Sequence, residues 1–280
     1  MEKARASRTA VGVAIRRASH QLRDSPLVFC DPMAAPILGE TYARPLDAAV
    51  TAFDDPFSRG MRAFLVARSR YAEDNLQHAV SEGVRQYVLL GAGLDTFAYR
   101  NNNRGLRVFE VDHPATQAWK RELLARSQIT IPASLSFVPV DFELQSLAEQ
   151  LRTQGFDPNA PAYFAWLGVV PYLTLSAFRS TLVYIGERPP GSGVTFADGQ
   201  PRQAIPRLER IAHDALAARV GQIGEPLQLF FTPSDMAREL SSFRSVEDLG
   251  SAEMTARYFA GRSDGLRVRG QSARFASAWR

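Results

Sequence analysis

The sequence predicts an α/β fold: a doubly wound, mostly parallel, seven-stranded sheet with helices on both faces, an N-terminal helical cover and a late insertion. Three observations predict it. Short apolar runs without polar alternation, clearest at residues 87–90, suit strands buried on both faces. These runs alternate with longer segments of helical spacing, the rhythm of a parallel sheet. Gly91-Ala92-Gly93 follows the first run directly, and in open α/β sheets the ligand crevice lies beyond the carboxyl ends of the strands.

Residues 1–25 read as an arginine-rich amphipathic helix, with Val11, Ala14 and Ala18 at helical spacing and a solvated charged face. Residues 25–56 are rich in Pro and Asp and read as short helices and loops, and residues 57–80 as a second helix. Strands follow at 87–90, 106–112, 135–142, 162–170 and 193–197. Between them, Pro114 opens a helix to Leu124, where its missing N–H does no harm; a short helix covers 144–152, and Thr174 caps one to Ile185. Residues 200–242 break the rhythm with a long polar helix, a Gly-Glu-Pro turn and a further helix opened at Thr232-Pro233-Ser234-Asp235. Residues 244–249 read as a sixth strand, 252–259 as a helix and 273–279 as a final edge strand.

Composition narrows the function classes. A chain of 280 residues with 45% hydrophobic content is read as one domain with a sizeable core. The formal net charge of +4 comes from scattered residues, so an anionic small molecule is favoured over nucleic acid as a partner. The single cysteine, Cys30, makes no internal disulfide, and the four histidines show no metal-ligand spacing, so no metal is expected and the cytoplasm is the expected compartment. No signal peptide fits the N-terminus. Residues 158–178 carry no charge, but Pro161, Pro171 and Gly168 interrupt them, and they read as a buried strand and a capped helix rather than a membrane span.

The glycine turn raises the question of its ligand. A dinucleotide fingerprint needs a third glycine, and that position holds Thr96. Asp112 lies 21 positions after Gly91, at the end of the next strand, where a carboxylate accepts hydrogen bonds from ribose hydroxyls. Asp141 ends the third strand, within reach of an adenine amino group. The competing reading of each acid is a surface or helix-start charge. Together they describe an adenosine site for a cofactor without phosphate, and S-adenosylmethionine fits, with an arginine holding its carboxylate.

These residues resemble the leucine carboxyl methyltransferase-like family of class I S-adenosylmethionine-dependent methyltransferases, whose fold is Rossmann-like. The resemblance rests on Thr9-Ala10, Arg17-Ala18, Asp31-Pro32, residues 67–71 (ARSRY), 88–96 (VLLGAGLDT), 109–114 (FEVDHP), 140–142 (VDF) and 171–173 (PYL), and covers nearly the whole chain. It implies that Arg68 binds the cofactor carboxylate with help from Arg17, that Gly91 and Gly93 contact the methionine arm, Asp112 the ribose, and Asp141 with Phe142 the adenine. Arg70 competes with Arg68 for its role. Residues 1–80 then form the N-terminal cover, 86–198 the cofactor-binding core and 200–242 a substrate-covering insertion. The family's glutamate after the fourth strand is replaced by Leu167, and Asp198-Gly199 stands where relatives often carry aromatic or acidic residues.

Methyl transfer is a direct displacement, so the protein must align the acceptor and exclude water. A carboxylate acceptor is ionised at neutral pH and needs no base; a phenol does, with His113 and Tyr172 as candidates. Tyr172 and Trp166 also read as pocket walls, and His113 as a helix cap. The expected function is O-methylation of a carboxylate or hydroxyl on a small molecule. Alternatives are a protein C-terminal carboxylate as acceptor, a non-catalytic cofactor-binding module, and a nicotinamide-dependent oxidoreductase.

Overall fold

The computed structural model describes residues 8–52, 55–141, 145–222 and 224–280. Seven strands form one sheet: β1 (Gln86–Leu90), β2 (Arg107–Asp112), β3 (Leu135–Pro139), β4 (Tyr163–Trp166), β5 (Gly193–Gly199), β6 (Ser245–Leu249) and β7 (Ala273–Trp279). Their order is β3-β2-β1-β4-β5-β7-β6. The pairs among β1 to β5 are parallel, whereas β7 runs antiparallel to both its neighbours. The chain winds outward from β1 to β3, then returns to lay β4 on the other side of β1. That reversal opens a crevice between the carboxyl ends of β1 and β4.

Expected as an edge strand, β7 is interior. Seven residue pairs join it to β5, from Gly193↔Trp279 to Gly199↔Ala273, and β6 takes the edge. Residues 275–278 are buried, as an interior strand requires, while the charges of Glu247 and Asp248 suit β6 to an edge.

The helices are α1 (Arg8–Arg23), α2 (Ala43–Ala52), α3 (Pro56–Ser81), α4 (Pro114–Arg126), α5 (Leu147–Thr153), α6 (Leu175–Gly186), α7 (Arg207–Gly221), α8 (Pro233–Glu239) and α9 (Ser251–Tyr258). On one face, Ala14 and Ala18 of α1, Leu76 of α3 and Leu124 of α4 pack with Tyr87, Leu89 and Val108. On the other, Leu151 of α5, Phe178 and Leu182 of α6 and Met236 of α8 pack with Val88, Phe109 and Phe196. Side chains that alternate across a strand serve both cores, which is why these strands are apolar at every position. Local chemistry sets the helix starts: Asp55 accepts from the amides of Phe57 and Ser58, Thr174 from Ala177, and Thr232 shares a capping box with Asp235.

The segment 200–242 divides in two. Helix α7 is largely exposed, with Leu208 81% and Ile211 68% accessible. Leu229, Phe231, Met236 and Leu240 instead enter the second core, so the latter half is part of the sheet's own helical layer. Residues 158–178 become β4, a 3-10 turn at Val170–Tyr172 and the start of α6. Among the described residues no helix is long and apolar enough to cross a membrane.

Candidate functional site

At the end of β1 the backbone turns through Gly91 (φ +67°) and Gly93 (φ +49°), a left-handed conformation that costs a side-chain-bearing residue roughly 1–2 kcal/mol. The amides of Gly91 and Ala92 both donate to the carbonyl of Val111, at 2.8 and 3.0 Å, folding the turn over the end of β2. There Asp112 receives it: Oδ2 accepts from the Gly93 amide at 2.6 Å and Oδ1 from the His113 amide at 2.7 Å. Burial raises the Asp112 carboxyl above its ordinary value, and these amides oppose the shift. The Thr116 hydroxyl is a third partner, and the two oxygens, with about four lone-pair sites between them, keep room for a ribose hydroxyl.

No α-helix follows the turn. The chain passes through a 3-10 turn at Phe97–Tyr99 and enters β2 directly. A pyrophosphate bound here would lack the helix N-terminus that stabilises it in dinucleotide sites. This observation joins Thr96 in disfavouring a dinucleotide.

Two side chains lie against the glycines. A Cβ on Gly91 would stand 2.3 Å from Val169 Cγ2, and one on Gly93 would stand 3.2 Å from the Cβ of Ala10 on α1. The loop after β4 and the N-terminal helix therefore close over the turn.

Arg68 and Arg70 are separated by about 200° around α3. Arg70 is exposed, pairs with Asp74 at 2.7 Å and lies outside the crevice. Arg68 is 7% exposed and reaches Gly168, where a Cβ would stand 2.6 Å from Nη1. Among the described residues its Nε has no hydrogen-bond partner and its guanidinium forms no ion pair; the Phe64 ring lies 5.6 Å away. Burial, with the nearby charge of Arg17, pushes its pKa down to about 10. A buried cation without a counter-ion is costly, and an incoming carboxylate would remove that cost.

Arg17 is also buried, but it is engaged. Its Nη2 donates to the Leu94 carbonyl at 2.7 Å, Nε lies 3.1 Å from Asp31 and Nη1 3.7 Å from Asp95. It thus fastens α1 to the chain just beyond the glycine turn. Asp31 is shared further, with Thr96 Oγ1 at 2.7 Å and Arg100 Nε at 3.3 Å, and Arg100 in turn pairs with Glu73. Below the turn, buried Lys120 bridges Glu110 Oε2 and the Asp95 carbonyl, each at 2.7 Å, while burial pushes the Glu110 carboxyl up to about 7. The sequence reading assigned Arg17 to the cofactor carboxylate, whereas here its guanidinium is engaged with Leu94, Asp31 and Asp95, a network that reading missed. The acidic residues of VFEVD and LDT were its only trace.

Asp141 lies past the end of β3, with Oδ2 4.0 Å from His113 Nε2, which puts both at the rim beside Asp112. Phe142 falls outside the described residues. His113 caps α4, its Nδ1 accepting from the Ala115 amide at 3.2 Å. Tyr172 is half-buried, hydrogen-bonded to Thr9 of α1 and close to Arg68; burial raises its phenol. Leu167 packs against the first core, so its position contributes apolar contact and no charge. Among the described residues, no group of three or more His, Cys, Asp or Glu side chains is placed to hold a metal.

The residues present fit S-adenosylmethionine. Arg68 is an orphaned cation for its carboxylate, the glycine turn exposes backbone, and the Asp112 carboxylate is fixed beside it.

The leucine carboxyl methyltransferase family profile matches residues 10–186. A Bacillus subtilis protein provisionally named as an S-adenosyl-L-methionine-dependent methyltransferase, YktD, is 31% identical over 95% of both chains. A Streptomyces coelicolor protein with the same provisional description is 35% identical over 64% of each chain. A crystal structure of a provisionally assigned methyltransferase from Thermobifida fusca superposes with a TM-score of 0.58 at 17% identity, covering 96% of this chain and 94% of that one, a likeness of fold. The chain belongs to the leucine carboxyl methyltransferase family and is an S-adenosylmethionine-dependent methyltransferase.

Proposed function

We propose that the acceptor is a small molecule and that the methyl group goes to one of its oxygens, a carboxylate or a hydroxyl. The observation that carries this reading is the closure at Tyr172, where α1 reaches across the crevice to hydrogen-bond its hydroxyl through Thr9. A crevice roofed by α1 suits a compact acceptor better than a polypeptide or nucleic acid.

When bound, the cofactor supplies an electrophilic methyl group on a sulfonium. The protein's own residues do the rest. Arg68 would hold the cofactor's carboxylate and Asp112 its ribose, with Asp141 at the adenine end; Gly91 and Gly93 allow close backbone approach. Arg17 keeps α1 closed, which excludes water and positions the acceptor. A carboxylate acceptor reacts as it stands. A hydroxyl must lose its proton, and neither His113 nor Tyr172 is well suited to take it: His113 Nδ1 is committed to its helix, and burial raises the Tyr172 phenol.

Labelled methyl donor incubated with the protein and a cell extract, split into low-molecular-weight and protein fractions, tests the reading. Label on an oxygen of a small molecule is expected. Label on protein, or on nitrogen or carbon, contradicts it.

A further inference from the structure

One buried carboxyl stands outside the cofactor site. Asp198, near the end of β5, is 5% exposed, and among the described residues neither of its oxygens accepts a hydrogen bond from another residue. Arg274 lies directly across the strand pair, yet its donors go to Asp248: Nε to Oδ1 at 3.0 Å and Nη2 to the backbone carbonyl at 3.1 Å, with Nη2 2.9 Å from Oδ2. A buried acceptor left unsatisfied is costly. Such a cost at the carboxyl end of a strand beside the crevice points to a ligand that satisfies it.

The register gives the place. Trp166, the last residue of β4, pairs with Phe196 of β5; two residues further on, Gly168 lies in the turn that leaves β4, while Asp198 is still within β5. Gly168 is the residue against which the Arg68 guanidinium rests. Strand alternation puts Asp198 on the face of Val194 and Phe196, opposite the face where α3 carries Arg68. The irregular segment beside it is pinned at both ends: Gln228 and Leu229 amides donate to the Pro171 carbonyl at 2.7 and 3.2 Å, and the Phe231 amide to the Gly199 carbonyl at 3.0 Å. Asp198 thus lies at the same end of the sheet as the turn that carries Gly168, beside the segment that ties the loop after β4 to the end of β5.

We propose that Asp198 accepts the proton of a hydroxyl-bearing acceptor, making this protein an alcohol or phenol O-methyltransferase; the proposal rests on the oxygen-acceptor reading above. In the reaction the acceptor oxygen forms a bond to the methyl carbon as the carbon–sulfur bond breaks, and sulfur keeps that electron pair as a neutral thioether. The hydroxyl proton passes to the Asp198 carboxylate and then to solvent. Burial, and then the charge of Asp248, push the Asp198 carboxyl up to about 8, with Arg274 opposing. These are the charged groups facing it on β6 and β7, and Leu229 and Phe231 of the crossing segment carry none. A base tuned to this range takes a hydroxyl proton near neutral pH more effectively than an ordinary carboxylate.

The test uses the full-length protein, tritiated S-adenosylmethionine and a probe panel of paired aromatic and aliphatic alcohols, phenols and carboxylic acids of matched skeleton. Wild type is expected to methylate hydroxyl members, giving alkali-stable products at rates that rise towards a plateau above about pH 8. Asp198→Asn is expected to lower kcat at least 100-fold and flatten that pH profile, while S-adenosylhomocysteine binding by calorimetry stays unchanged and reports a folded protein. Alkali-labile esters formed from the acids alone overturn the proposal and leave the oxygen-acceptor reading standing. No turnover of any hydroxyl member, or full activity in Asp198→Asn with S-adenosylhomocysteine still bound, also overturns the proposal. Transfer only to nitrogen or carbon, traced by the cell-extract experiment, overturns both.

Discussion

A Cβ on Gly168 would stand 2.6 Å from the Nη1 of Arg68, so the guanidinium occupies the space that a side chain would need. Arg68 is thereby held in the crevice, and among the described residues it has no counter-ion. Replacing a buried, unpaired charge with an apolar side chain of similar length removes a desolvation cost. Arg68→Met is expected to stabilise the ligand-free protein by about 1–3 kcal/mol in urea denaturation. A loss of stability would mean that the guanidinium has partners after all.

Arg17 joins α1 to Leu94, Asp31 and Asp95. Removing one partner of a buried ion pair leaves the other uncompensated, at a cost of about 3 kcal/mol or more. Arg17→Met is therefore expected to destabilise the protein and to speed hydrogen exchange across α1 well above that of α3. Equal exchange in the two helices would contradict the fastening role.

Gly91 combines a φ of +67° with a clash against Val169 Cγ2. Gly91→Ala is expected to cost about 2–4 kcal/mol, from left-handed strain and overpacking together. Adding Val169→Ala removes the Cγ2 contact and should recover part of the loss, read as a coupling in a double-mutant cycle. Strict additivity of the two changes would rule out the contact.

The Asp198 carboxyl is raised from 3.8 to about 8 on folding, so the folded state holds its proton over a range where the unfolded chain has released it. Its contribution is present in full below about pH 4 and is lost as pH rises towards 8. Stability of wild type relative to Asp198→Asn should fall across that window and level off above it. Parallel pH profiles for the two proteins would contradict the shift.

Much of this was legible in the chain. The strands from β1 to β5 were marked by apolar runs because two-sided burial leaves no polar alternation, and the turn was marked because only glycine adopts its angles cheaply. The place of β7 was less visible, since antiparallel insertion between β5 and β6 is a long-range choice that no local pattern records. The sequence could not separate Arg68 from Arg70, which face opposite sides of α3; tertiary packing makes that choice. Asp198 was noted only as a departure, because whether an acid is orphaned depends on what Arg274 and Asp248 do with each other.

The central claim is that Arg68 recognises the carboxylate of the cofactor's amino acid end. Calorimetry should compare S-adenosylhomocysteine with its decarboxylated analogue, which keeps the amine, on wild type and Arg68→Met. The account predicts that wild type prefers S-adenosylhomocysteine by about 10- to 100-fold, the worth of a charge-assisted hydrogen bond, and that Arg68→Met binds the two alike. A preference that survives intact in Arg68→Met would contradict it.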